Sequence, residues 1–292
     1  MSERIGAGQS VDFANGVRLV TNAEAVTICG TEEVRSIFGE RPIVIIGPHP
    51  DDPELSMGVM VSLLANAGNQ VKIVSATSGS DGVLDEYLEK LGNMDHDHSP
   101  SVLKAKVRID EGRRAAVFLG ADHDSLDINV PEVPGDDGLE PKHGHSRKFG
   151  EISDPDKHRI KSFILENIGA VWFLPYPFKS SPHHGVHERV GLEFIKSLAE
   201  WGYEGDVWFY ETRERRQLFY RDGISANVVA AFDEERMALK TQAVSFFDSQ
   251  VSRDPEYYLS ITQKRNARMA RIQGVDSAYA ERFVRGTLRK SP

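Results

Sequence analysis

Strand-like runs alternate with helix-patterned segments along most of the chain, and this alternation restricts the fold more than any other feature. Ile43 to Ile46 is a β-branched apolar run, the pattern of a strand covered on both faces. Glu54 to Ala67 then carries Leu55, Val59, Met60, Leu63 and Leu64 at helical spacing, and Gly68 ends it. Val71 to Ala76, Val171 to Leu174 and Val207 to Tyr210 read as further strands. Leu103 to Leu119, Lys157 to Ile168 and Glu188 to Trp201 read as helices. Two helices, near Asp233 to Phe247 and Pro255 to Gln273, are expected to close the chain. This order predicts a mostly parallel sheet with helices on both faces, a Rossmann-like three-layer α/β fold. Residues 1–40 read as an N-terminal extension. It holds short strands at Val17 to Val20 and Ala25 to Cys29 and a helical turn from Thr31; residues 41–292 form the main domain.

In such sheets ligands sit beyond the carboxyl ends of the strands. The segments after Gly47, Thr77, Leu126 and Pro175 are therefore the places to look for chemistry. Ser78 to Pro100 and Val130 to Pro155 are long, polar and leave the same edge, so both are expected to be lids or binding loops. Composition narrows the partners. With 35 Lys and Arg against 44 Asp and Glu, the net charge of −9 gives no global basic field for nucleic acid or an anionic membrane. Cys29 is the single cysteine, which excludes an intramolecular disulfide and suits the cytoplasm. No stretch of 18 apolar residues offers a membrane span, and the N-terminus lacks a secretory pattern.

The segment Gly47 to Leu55, GPHPDDPEL, follows directly on the first strand of the alternation. A purely structural reading makes Asp52 an N-cap, Pro53 the first helical residue and Glu54 a favourable charge at the helix start. It leaves His49 and the second adjacent aspartate without a purpose. Imidazole and carboxylate together suit Zn²⁺ or another first-row divalent ion. A catalytic zinc needs a third protein ligand. Ser181 to Gly191, SPHHGVHERVG, follows another strand and holds three of the chain's ten histidines. His184 and His187 are three apart and share a face on one helical turn. Two histidine-bearing loops at one sheet edge can converge on one ion.

His49-Pro50-Asp51-Asp52-Pro53-Glu54 resembles the opening motif of the PIG-L (LmbE-like) family of zinc-dependent de-N-acetylases. That family includes mycothiol, bacillithiol and N-acetylglucosaminyl-phosphatidylinositol deacetylases. His184-Gly185-Val186-His187 matches the spacing of the family's HPDH motif, with Gly-Val in place of Pro-Asp. Arg108-Ile109-Asp110-Glu111 resembles its R-x-x-E helix. Ser249-Gln250 and Tyr279 to Phe283 resemble its C-terminal signatures. The resemblance implies that His49, Asp52 and His187 bind the metal and Asp51 is the general base. It also implies that His184 is the acid or oxyanion stabiliser and Arg108 holds the sugar. The implied cofactor is Zn²⁺, with Fe²⁺ or another divalent ion able to use the same ligands. The implied reaction is removal of an N-acetyl group from an N-acetylglucosamine-type conjugate by a metal-activated water. Amide hydrolysis by such a water needs no covalent intermediate.

Asp127, at the end of the third strand, is well placed to meet a substrate hydroxyl, although strand-end aspartates are as often turn residues. Met94 to His98 is a rival ligand cluster in a polar loop, read as a solvated lid. His143 and His145 carry less weight. Residues 264–290 hold eight Lys and Arg against two acids and read as a solvated helix face. No dinucleotide fingerprint, nucleophile elbow or P-loop is present. The alternative is a non-catalytic sugar- or nucleotide-binding relative of the same fold; homo-oligomer formation stays open. The five intact core positions favour the enzyme.

Overall fold

The computed structural model describes residues 9–13, 16–22, 24–92, 99–133, 148–177, 185–212, 225–251 and 255–290. The N-terminal part holds β1 (Ser10–Asp12), β2 (Val17–Thr21), β3 (Val26–Ile28) and α1 (Thr31–Phe38). The alternating part follows as β4 (Ile43–Gly47), α2 (Asp52–Asn66), β5 (Val71–Ser75), α3 (Asp85–Lys90), α4 (Pro100–Phe118) and β6 (Asp122–Ser125). A small hairpin, β7 (Glu132–Val133) and β8 (Lys148–Phe149), precedes α5 (Asp154–Glu166), β9 (Val171–Pro175), α6 (Gly185–Glu200) and β10 (Asp206–Tyr210). The last elements are β11 (Val228–Phe232), α7 (Glu234–Ser245), α8 (Asp248–Val251), α9 (Pro255–Gln273) and β12 (Tyr279–Lys290).

Among the described residues, ten strands form one sheet in the order β1-β2-β12-β10-β9-β4-β5-β6, with β11 paired to β12 and to β3. Its unbroken parallel core is β10-β9-β4-β5-β6. The pleat of that core explains why its strands read as continuous apolar runs. Val44, Ile46, Trp172, Leu174, Val207 and Phe209 face one side, where Ile160, Phe163 and Ile164 of α5 and Phe194 and Leu198 of α6 cover them. Ile43, Ile45, Val171, Phe173, Trp208 and Tyr210 face the other, under Val34 and Phe38 of α1, α2, and Met237 of α7. Each fully buried side chain of this kind contributes about 1.5–3 kcal/mol. The expected three layers are therefore present. No helix among the described residues is long and apolar enough to cross a membrane.

Three expectations need correction. A strand, not a helix, closes the chain, and β11 is a further strand that the sequence reading left unassigned. The basic stretch 264–290 is only half helical. Its second half lies in the sheet, with Glu281, Arg282 and Arg285 each in an ion pair. Ion pairing, not solvent, neutralises these charges, so composition hid the strand. Finally, the first polar loop contains α3 and a 3-10 turn at Ser80–Gly82.

Candidate metal and catalytic site

The loop after β4 is fixed by its neighbours. Ala76 N–H donates to Gly47 O at 2.7 Å, and the Thr77 hydroxyl donates to Pro48 O at 2.7 Å. Pairing between β4 and β5 thus continues past the strand ends and holds Pro48 in place. Gly79, on the loop after β5, packs against the β4 loop with φ +63, and a Cβ there would come within 3.1 Å of Pro50 Cδ and 3.5 Å of His49 Cβ. Only glycine combines that backbone with that approach.

α2 begins at Asp52, with Asp51 at the N-cap position, and the Asp51 side chain caps nothing. The structural reading of Asp52 as a cap does not hold. Its Oδ2 instead accepts the His49 backbone N–H at 2.9 Å and lies 3.1 Å from His49 Nδ1. His187, on the first turn of α6, brings Nε2 to 3.0 Å from the same oxygen. Gly191 allows this: a Cβ there would lie 2.8 Å from Pro175 O, so α6 can press onto the end of β9. The two imidazoles meet edge to face at 5.0 Å. His49, Asp52 and His187 each offer one donor atom, all within 4.8 Å of one another. Two ring nitrogens and one carboxylate oxygen, brought this close, match the donor set of a zinc-type ion. Asp52 and His187 are buried, while the His49 side chain keeps 29% of its surface, leaving one open side.

The electrostatics favour the carboxylate form of Asp52. Burial pushes its pKa up, but the charge of His187 and hydrogen bonds from both histidines outweigh this and hold it well below the usual carboxylate range. Glu54, two residues further, behaves oppositely. It is fully buried and neither carboxyl oxygen has a hydrogen-bond partner among the described residues. Burial first, then the Asp51 and Asp52 charges, push it well above the carboxylate range.

Asp51 Oδ1 lies 2.7 Å from Arg108 Nη2. Arg108 is only 3% exposed and its guanidinium stacks over Phe247 at 5.5 Å. Its partners are Asp51 and, at 3.7 Å, the buried Glu111. Arg108 Nε and Nη1 are buried donors without hydrogen-bond partners among the described residues. Glu111 in turn accepts the Ser249 backbone N–H and hydroxyl, both at 2.6 Å, and Gln250 Nε2 donates to Gly82 O at 2.7 Å. The R-x-x-E and Ser-Gln signatures thus meet in space.

Asp127 lies exposed at the end of β6, on the same sheet edge. His184, the 94–98 cluster, His143 and His145 lie outside the described residues. Two buried acids have surroundings that the sequence reading did not anticipate. One is Glu54, read only as a helix-start charge. The other is Glu281, whose carboxylate accepts the Val59 and Met60 backbone N–H groups at 3.1 and 2.9 Å, where Met57 breaks the helical geometry of α2. Lys240 Nζ binds that carboxylate at 2.7 Å, with both side chains fully buried. A lysine inside a helix pattern gives no hint of this in sequence.

The family model described as PIG-L, GlcNAc-PI de-N-acetylase, matches residues 44–193, half of the chain. The chain belongs to the PIG-L family. The chain is 25% identical over 181 residues, 58% of its length, to 1D-myo-inositol 2-acetamido-2-deoxy-alpha-D-glucopyranoside deacetylase of Corynebacterium urealyticum. The match spans about half of that relative, 53% of its length. Among solved structures, N,N'-diacetylchitobiose deacetylase from Pyrococcus horikoshii superposes with TM-score 0.57 at 20% identity, covering 86% of this chain and 84% of that one. The 4-carboxy-2-hydroxymuconate hydratase GalB of Pseudomonas putida also reaches 0.57, at 18% identity, covering 84% and 95%. A deacetylase and a hydratase on one architecture mean that these structural likenesses speak for the fold alone.

Proposed function

We propose that this PIG-L family chain is a metal-dependent hydrolase that removes an N-acetyl group from an N-acetylglucosamine-type sugar conjugate. The observation that carries the reading is the convergence of His49 and His187 ring nitrogens on Asp52 Oδ2, with Asp51, its neighbour in the chain, held by Arg108. The curated relative's acetamido-sugar substrate supports the substrate class. His49, Asp52 and His187 are the ligands, Zn²⁺ the first candidate ion and Fe²⁺ the second. A divalent ion there supplies Lewis acidity at the amide carbonyl and a water acidic enough to react near neutral pH.

Asp51 takes the proton of the attacking water. Arg108 holds Asp51 Oδ1, which fixes the carboxylate and leaves Oδ2 to accept. His184 delivers a proton to the departing amine or stabilises the oxyanion. The unsatisfied Nε and Nη1 of Arg108 offer donors to a sugar oxygen, and Asp127 offers an acceptor to a sugar hydroxyl. A division into an extension, residues 1–40, and a deacetylase domain, residues 41–292, belongs to the same reading. The family match beginning at residue 44 supports it, with β1, β2 and β3 added to the domain's sheet. A cytoplasmic location goes with the proposal and rests on the single cysteine.

The test is acetate release from a panel of N-acetylglucosamine conjugates by zinc- or iron-loaded protein, together with metal analysis of His187→Ala. The reading expects acetate from the wild type and strong metal depletion in the variant. Full metal occupancy in His187→Ala would overturn the ligand set. An absence of acetate with every conjugate would overturn the reaction.

A further inference from the structure

The chain just after β6 is built in an unusual way. In the β5–β6 register Ser75 stands opposite Ser125. Leu126 N–H donates to Ser75 O at 2.9 Å, and Ile128 N–H donates to Ala76 O at 2.7 Å. One strand advances two residues while its partner advances one. Asp127 is the extra residue of a β-bulge, a device that re-aims a side chain beside a functional edge. Its φ is +48, the one positive φ of a non-glycine residue among those described. Aspartate tolerates that region better than most residues, yet glycine would hold it without strain. The Asp127 side chain is exposed, and its carboxylate has no hydrogen-bond or ion-pair partner among the described residues.

The bulge is clamped from α5. Arg159 Nη1 donates to Leu126 O at 2.7 Å and to Asp127 O at 2.9 Å. The same Nη1 lies 3.5 Å from Asp156 Oδ1, and Asp156 Oδ2 accepts the Asn129 N–H at 3.3 Å. The first turns of α5 therefore grip the chain on both sides of Asp127. β6 stands two strands from β4, so the bulge lies roughly 10 Å from the His49 loop along the edge. That is the span of a sugar whose acetamido group sits at the histidines and whose far hydroxyls reach the bulge.

We propose that Arg159 is a positioning residue for sugar recognition: it holds the bulge so that the Asp127 carboxylate accepts hydroxyl hydrogen bonds from the end of the sugar remote from the acetyl group. The inference rests on the sugar deacetylase reading above. Arg159 does not touch the substrate; it acts through the backbone carbonyls of Leu126 and Asp127.

A double-mutant cycle tests it, with Arg159→Ala, Asp127→Gly, the double variant and Arg159→Lys. The readouts are KM and kcat for the best conjugate, Kd for N-acetylglucosamine by calorimetry, and metal content. Each single variant is expected to raise KM and Kd roughly tenfold, the size of a lost charge-assisted hydrogen bond, with kcat and metal content within about twofold. The double variant should be no worse than Asp127→Gly, because Arg159 then has no carboxylate to position. Arg159→Lys should recover most of the loss, since a single nitrogen makes both carbonyl contacts. Additive single effects, or an Arg159→Ala protein that loses stability but keeps its KM, would overturn the inference and leave the deacetylase reading intact. A wild type that neither binds N-acetylglucosamine nor deacetylates any conjugate would overturn both.

Discussion

Arg108→Ala separates a buried counter-ion from an ordinary surface arginine. In the folded chain the guanidinium lies 2.7 Å from Asp51 and 3.7 Å from Glu111, with all three side chains largely buried. At an effective dielectric constant of about 20, the gross attractions are about 6 and 4 kcal/mol. Most of this repays desolvation of the three ions, so the pair is not worth its Coulomb energy. Removing one member is different, because two carboxylates remain buried without their cation. Breaking a buried pair in this way costs about 3–5 kcal/mol. At roughly 2 °C per kcal/mol for a chain of this length, the midpoint should fall by about 6–10 °C. Thermal melts by circular dichroism, with urea titrations to give the free energy, measure it. A second arm adds Asp51→Asn, which deletes the partner charge. The double variant should recover part of the loss, with a coupling of about 1–3 kcal/mol. An Arg108→Ala protein melting within about 2 °C of the wild type, with kcat/KM within about twofold, would refute the argument for both stability and catalysis.

Asp51→Asn should keep its metal and lose about 10²–10⁴ in kcat, because the amide keeps the shape and cannot take the proton; metal analysis beside acetate release reads this, and loss of metal would make Asp51 a ligand. Burial pushes the His123 imidazole down from 6.5 to about 4, with Nε2 2.8 Å from Ser75 Oγ. The unfolded chain then takes up a proton that the folded chain refuses, so stability is lost as pH falls from about 6.5 to about 4, by at most about 3 kcal/mol. His123→Gln should flatten that acid limb in urea titrations across this range, and an unchanged slope would rule the histidine out as its source. Lys240→Met should destabilise by about 3–5 kcal/mol because Glu281 remains buried and charged, whereas Lys240→Met with Glu281→Gln should lose less; equal losses would show that the ion pair is not the cause.

The amino-acid sequence determined the layered core and the residue types gathered at the candidate metal site. β-branched runs such as Ile43 to Ile46 can be satisfied only between two covered faces, and helical periodicity from Glu54 onward supplies the cover. A histidine and two aspartates at a strand end were equally legible, because nothing in a helix start calls for His49. Other features were decided by distance in space between residues far apart in the chain. Charges in Tyr279 to Lys290 concealed a buried strand until Lys240, Glu211 and Asp206 arrived from other elements to neutralise them. Arg108 was legible only as a sugar-holding residue of the R-x-x-E resemblance; that it is a buried partner of Asp51 was decided when α4 met the β4 loop. The bulge at Asp127 arises from a slip of one residue between two parallel strands, fixed by an arginine 32 positions later. Local propensity and periodicity are properties of neighbours in the chain, and sequence carries them openly. Neutralising a buried charge or clamping a strained turn depends on which distant group packs there, and only the tertiary structure decides that.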